Sequence, residues 1–183
     1  MGAFTNGGDY SEGDLAREPT LKLSFAAGLS RNDRAIRTGG QLGPALYAPR
    51  GMTTYFADGL LKTRGVAMAV EYAHRVSPDP ITRSGTSIRN VYAGQGVNVQ
   101  VSWLLPHRQW EPMLRYSSVT PAKSIQSLAT VEALQESAIG IARYVNGHRI
   151  KMNGEFFHTG YRNVAADRRR GLWTARLGAE VGI

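Results

Sequence analysis

The feature that most narrows what this chain can fold into is a period of two that separates apolar residues from charged ones. Between positions 97 and 105, Val97, Val99, Val101, Trp103 and Leu105 alternate with Asn98, Gln100 and Ser102. Successive strand side chains point to opposite faces, so such a segment is a strand with one apolar and one polar face. The stretch Gln135 to Ile183 repeats the pattern three times. Ile139, Ile141 and Val145 oppose Gly140, Ala142 and Tyr144, with Arg143 interrupting the apolar set. Ile150, Met152 and Phe156 then oppose Lys151, Asn153 and Glu155. Trp173, Ala175, Leu177, Ala179, Val181 and Ile183 oppose Thr174, Arg176, Gly178, Glu180 and Gly182. Asn146-Gly147 separates the first two segments, and both residues tolerate the positive φ of a type I′ turn, which predicts a tight hairpin.

The rest of the chain follows suit. Residues 1–19 are rich in Gly, Asp and Glu without a period and are read as an irregular segment, with residues 20–183 as the strand-bearing domain. Strands are expected at 20–33 (Leu21, Leu23, Phe25, Ala27 and Leu29 on one face), at 52–63, from Val66 to Arg75, from Val97 to Leu105 and from Trp110 to Tyr116. Pro112 suits a bulge or a strand end better than a strand centre. Residues 34–50, 76–90 and 117–134 carry prolines, glycines or serines and are read as long connections, the last with a helical turn at its end. Tight turns are expected at Arg64-Gly65, Pro106 to Gln109 and Asn146-Gly147. Long connections on one side and tight turns on the other are the habit of outer-membrane barrels.

A soluble sandwich hides its apolar faces against each other, whereas a membrane barrel turns them to lipid and lines a wet lumen with the polar face. Burying many unpaired charges in a soluble core would cost several kcal/mol per ion, and this polar face carries Lys22, Asp58, Lys62, Glu71, Arg75, Glu111, Arg115, Lys151, Glu155, Arg176 and Glu180. Segments of about 10 to 13 residues fit a tilted crossing of the hydrocarbon better than ordinary globular strands. Tyr72, Trp103, Trp110, Tyr116 and Trp173 fall where an interfacial aromatic girdle would sit. A mean hydropathy of -0.28 does not argue against a barrel, in which only every second residue must be apolar.

The formal charge of +8 implies anionic partners. With no cysteine there are no disulfides or thiolate metal sites. The four histidines, His74, His107, His148 and His158, lack the spacing of a helical zinc site. Gly94-Gln95-Gly96 lacks the third glycine and the helix of a dinucleotide fold. No catalytic constellation stands out, so the chain is read as no enzyme and without cofactors. The first twenty residues have no secretory signal pattern, so the expectation is a part of a longer, exported chain.

From Met52 onward the chain resembles the carboxyl-terminal part of the phosphate-selective porin O and P family of Gram-negative outer-membrane channels. The resemblance rests on YFADGLLKTRGVAMAVEYAHR, GVNVQVSWLLPHRQWEPMLRYSSV, ESAIGIARYVNGHRIKMNGEFFH and the terminal strand. It implies a sixteen-stranded transmembrane β-barrel, usually a homotrimer, for passive diffusion of small anions such as phosphate past basic residues lining a narrow pore. The all-β, up-and-down meander of about eight long strands expected here would be half of it. Two features depart from the family: Ile183 stands where an aromatic residue usually ends the barrel, and the sequence holds no counterpart of the amino-terminal half with its constriction loop.

The candidate pore-lining cations are Lys62, Arg75, Arg115, Lys151 and Arg176, with cross-strand salt bridges as the plainer role for each. Arg31, Arg34, Arg37, Arg83, Arg89, Arg162, Arg168, Arg169 and Arg170 are read as loop residues facing lipopolysaccharide phosphates or a pore mouth. Two other functions fit the same strands. One is a self-contained eight-stranded adhesion or anchoring barrel; the other is a soluble basic β domain that binds nucleic acid. The latter calls for stacking aromatics on a basic face, and here the large aromatics sit mostly on the apolar one, so no nucleic-acid partner is expected.

Overall fold

A computed structural model describes residues 2–5, 13–106, 109–146 and 149–181, the first of these ranges by its backbone alone. The strands are β1 (Gly2–Thr5), β2 (Lys22–Arg37), β3 (Ala45–Thr63), β4 (Val66–Val76), β5 (Ile81–Ser84), β6 (Ser87–Asn90), β7 (Gly94–Trp103), β8 (Trp110–Pro121), β9 (Ala133–Asn146), β10 (Ile150–Asn163) and β11 (Arg168–Val181). All except the β5–β6 hairpin form one antiparallel sheet in chain order, with β1 and β11 at its edges. The eight long strands of the expected meander are therefore present. Among the described residues nothing pairs the two edges, so the sheet is open and not a closed barrel.

Several boundaries differ from the sequence reading. Gly2–Thr5, within the stretch read as irregular, pairs with β2. Much of residues 34–50 is strand, and the connection there is only residues 38–44. Residues 117–121 extend β8, and the turns that follow contain no helix among the described residues. Every one of the nine arginines read as loop residues lies in a strand. Alternation fades in these extensions because polar and charged residues occupy both faces there.

The connections 64–65, 104–109 and 147–149 join the strands at one end, and 38–44, 77–93, 122–132 and 164–167 at the other. The strict contrast of short and long is lost at β10–β11, whose connection is shorter than that between β7 and β8. The Arg64-Gly65 turn is as expected, with φ of 51° and 91° at its two residues, the signature of type I′. The second hairpin is confirmed between β9 and β10 but takes three residues and a register shift at Ile150/Lys151, as a bulged loop does. Gly147, His107, Arg108 and His148 lie outside the described residues, and with them the proposed turn type there and part of the Pro106 to Gln109 turn. Pro112 pairs with Ile141 of β9 and lies just past the last β7–β8 pair, Ser102 with Met113. Its missing N–H therefore costs the ladder little.

The register aligns whole rows across eight strands. One runs Leu23, Leu61, Met68, Val101, Leu114, Ile139, Phe156, Ala175, and is apolar throughout. The row from Lys22 through Lys62, Ala67, Ser102, Met113, Gly140 and Glu155 to Arg176 lies on the opposite face. Burial is inverted relative to a soluble protein. Leu177 is 89% exposed and Trp173 64%, whereas Lys62 is 3% and Glu111 5%. The two small apolar clusters, Ala35–Met52–Val91 with Leu46 and Leu104–Ala142–Tyr144 with Leu15, both sit on the polar side, under returning chain. Among the described residues no second sheet packs on the apolar face.

Candidate functional site

Because strand side chains alternate, the register alone puts all eleven charged residues expected to share a face on the polar face. What surrounds them changes along the strands, and the face divides into three zones.

At the tight-turn end, residues 13–18 cross the polar face. Gly65 N donates to Asp14 Oδ2 at 2.6 Å and Arg64 N to the Glu18 carbonyl at 2.8 Å. These are the two outward-pointing amides of the type I′ turn, which would otherwise need water. Lys62 Nζ donates to the Gly13 carbonyl at 3.0 Å, and Arg17 Nη1 to the Leu104 carbonyl at 2.6 Å. Glu111 accepts from Ser102 Oγ at 2.6 Å and from the Tyr144 hydroxyl. Burying such ions costs several kcal/mol unless their hydrogen bonds are supplied, and here they are. Lys62 thus anchors returning chain and does not stand in open space.

In the middle zone Arg115 of β8 bridges Glu136 of β9 at 3.2 Å and Glu155 of β10 at 3.5 Å, and Arg176 of β11 approaches Glu155 at 3.7 Å. Thr159 Oγ1 completes the Glu136 carboxylate at 3.0 Å. Arg176 also lies over the Phe157 ring, and Lys151 over Tyr144 with 5.8 Å to the centroid. Two candidate cations therefore belong to a charge-balanced ladder. Asp58 and Glu71 stand directly opposite each other, and Asn98 Nδ2 donates to Glu71 at 3.1 Å. The middle of this face is not a basic track.

At the far end Arg75 Nε donates to Thr54 Oγ1 at 2.9 Å. It opens on a cavity of about 650 Å³ also lined by Thr38, Asn90, Thr120, Ile125 and Thr130. Residues 77–93 fold back here onto the polar side of β3. Arg50 binds the Ile81 carbonyl, Ser77 Oγ donates to the Gly51 carbonyl at 2.7 Å, and Val91 packs on Ala35 and Met52. Arg31, Arg34, Arg37, Arg50, Arg75, Arg83, Arg89, Lys123, Arg162, Arg168, Arg169 and Arg170 gather at this end against Asp33, Asp79, Glu132 and Asp167. That excess equals the whole formal charge of +8. Hydrogen bonds to carboxylates, Asp33 for Arg31 and Glu132 for Arg170, raise both guanidinium pKa values above their ordinary range.

On the apolar side the five expected girdle aromatics are all exposed. Arg143, which breaks the apolar alternation, lies over the Trp110 ring at 5.2 Å. His74 and His158 face outward beside Tyr55 and Trp173, and no group of metal-binding side chains occurs among the described residues. The sequence reading missed Glu136, although it keeps the period of Ala138, Gly140 and Ala142. It also missed Asp14 and Arg17, whose segment has no period to read. No family model, curated protein or solved structure matches this chain.

Proposed function

We propose that this chain is part of an outer-membrane β-barrel channel for passive diffusion of small anions, phosphate among them, and that it functions without catalysis or cofactor. The observation that carries the reading is the inverted burial: a mostly apolar surface, interrupted by Arg143 and two histidines, on one face of eight long strands, with charged side chains on the other. Exposed apolar area on this scale marks a membrane or partner surface. The alternating apolar residues span about seven to nine positions on most strands, as from Val97 to Trp103 and from Leu21 to Leu29, and the eight long strands, of 10 to 19 residues, are long enough for a tilted crossing. The open edges of β1 and β11 are where the remaining strands of a larger barrel, such as the sixteen-stranded one implied by the resemblance to phosphate-selective porins, would add. A homotrimer follows from the same resemblance.

The anion preference is placed differently from the sequence reading. Lys62 is committed to a buried contact, and Arg115 and Arg176 are balanced by Glu136 and Glu155, so these supply little field to a passing ion. The arginine-rich end with Arg75 supplies the attraction, concentrating anions at the mouth. The members of that group that face outward would meet lipopolysaccharide phosphates.

The test is the reversal potential of the full-length protein in a planar bilayer under a salt gradient, with Arg75→Glu and Arg115→Glu as variants. Anion preference in the parent, reduced more by Arg75→Glu, is expected. A cation-preferring parent would overturn the anion assignment.

A further inference from the structure

We infer that residues 13–18 form the neck of the conduit, a polar strap that limits solute size at the tight-turn end. The inference rests on the channel reading above and adds to it a site of size selection. An ordinary connection between β1 and β2 would run along the sheet edge. This one instead crosses the polar face to reach the β7–β8 connection and β9. Its contacts are specific: Asp14, itself only 1% exposed, accepts the Gly65 and Glu18 amides, and Arg17 holds the Leu104 carbonyl. Leu15 packs on the Leu104–Ala142–Tyr144 cluster. The approach is close at position 13, where a Cβ would lie 2.8 Å from Glu111 Oε1 and 2.9 Å from the Tyr144 hydroxyl, so that a side chain there displaces one or the other.

The charges in the neck oppose one another, Asp14, Glu18 and Glu111 against Arg17, Lys62 and Arg64. Any discrimination there is therefore by size and hydrogen bonding. Charge discrimination belongs to the arginine-rich end, so two separate sections of one conduit would do the two jobs.

The test uses the full-length protein with Asp14→Ala, which removes the amide acceptor, and Gly13→Val, which forces the strap off Glu111 and Tyr144. Single-channel conductance and the swelling of liposomes in sugars of increasing size are the readouts, with trypsin cleavage after Arg17 reporting whether the strap is docked. Both variants should be cut faster at Arg17, conduct at least twofold more and admit larger sugars, with ion selectivity unchanged. Leu15→Cys combined with Ala142→Cys, in a chain that has no other cysteine among its 183 residues, should restore parental conductance to Asp14→Ala when oxidised. Released strap with unchanged conductance and sugar cutoff would overturn the neck while leaving the channel reading intact. Cleavage as fast in the parent as in the variants would show that the strap does not dock. Absence of conductance in parent and released variants alike would overturn the channel reading and the neck with it.

Discussion

The two faces of β7 make opposite use of adjacent residues. Val97, Val99, Val101 and Trp103 look outward with no second layer over them among the described residues, while Ser102 on the other face is 4% exposed and bonded to Glu111. In a soluble sandwich the valines would be the buried set. The difference teaches that the large apolar face is not what returning chain packs on: the chain that returns over the sheet covers the polar side, with only two small apolar clusters beneath it. The returning segments, residues 13–18 and 77–93, are held largely by hydrogen bonds.

The strongest way to break this contrast is to exchange the faces one residue at a time. Val99→Arg should cost about 2–4 kcal/mol if the position lies near the midplane of a bilayer. Gln100→Arg, one residue on, should cost under about 1 kcal/mol because its face is wet. Both are read by reversible folding into lipid vesicles in urea, and equal costs would erase the distinction.

A second comparison sets the middle of the polar face against its rim. Arg115→Ala removes the charged hydrogen bond to Glu136 and leaves Glu155, whose side chain is 10% exposed, to Arg176 at 3.7 Å. A loss of about 1–3 kcal/mol is expected for the charged hydrogen bond removed. The tight-turn end gives a somewhat smaller effect. Gly65→Ala should destabilise by about 1–2 kcal/mol because φ is 91° there, and its Cβ would meet Arg17 Nη1 and the Leu104 carbonyl, each at 2.8 Å. Arg31→Ala, at a rim ion pair with Asp33 in which both side chains are largely exposed, should change stability by less than about 0.5 kcal/mol in the same titration. A rim effect as large as that of Arg115 would remove the grading.

The faces were legible in the sequence because a period of two is a local property: Val99 and Gln100 declare their sides whatever lies beyond them. The strand ends were not. Arg37 and Arg168 to Arg170 read as loop because charged residues on both faces show no alternation, yet their backbone is still paired. The strap was illegible for a different reason. Its bonds join residues 49, 51 and 87 positions apart, and no spacing within DLARE announces a partner so far along the chain. Candidate cations were found by face correctly, but their roles depended on neighbours across the ladder. Arg115 is one of a balanced set only because register brings Glu136 and Glu155 beside it.

The most direct test of the central claim, that the apolar face lies against lipid, is quenching of tryptophan fluorescence in bilayers whose acyl chains carry bromine. Trp103, Trp110 and Trp173 all project from that face, exposed by 49%, 40% and 64%, so single-tryptophan versions of the full-length protein report on it at three places. The account predicts strong quenching at all three once the protein has folded into vesicles, deepest for Trp173 if it sits nearest the bromines. A protein that folds fully in buffer without lipid, and whose three tryptophans are untouched by brominated vesicles, would contradict it.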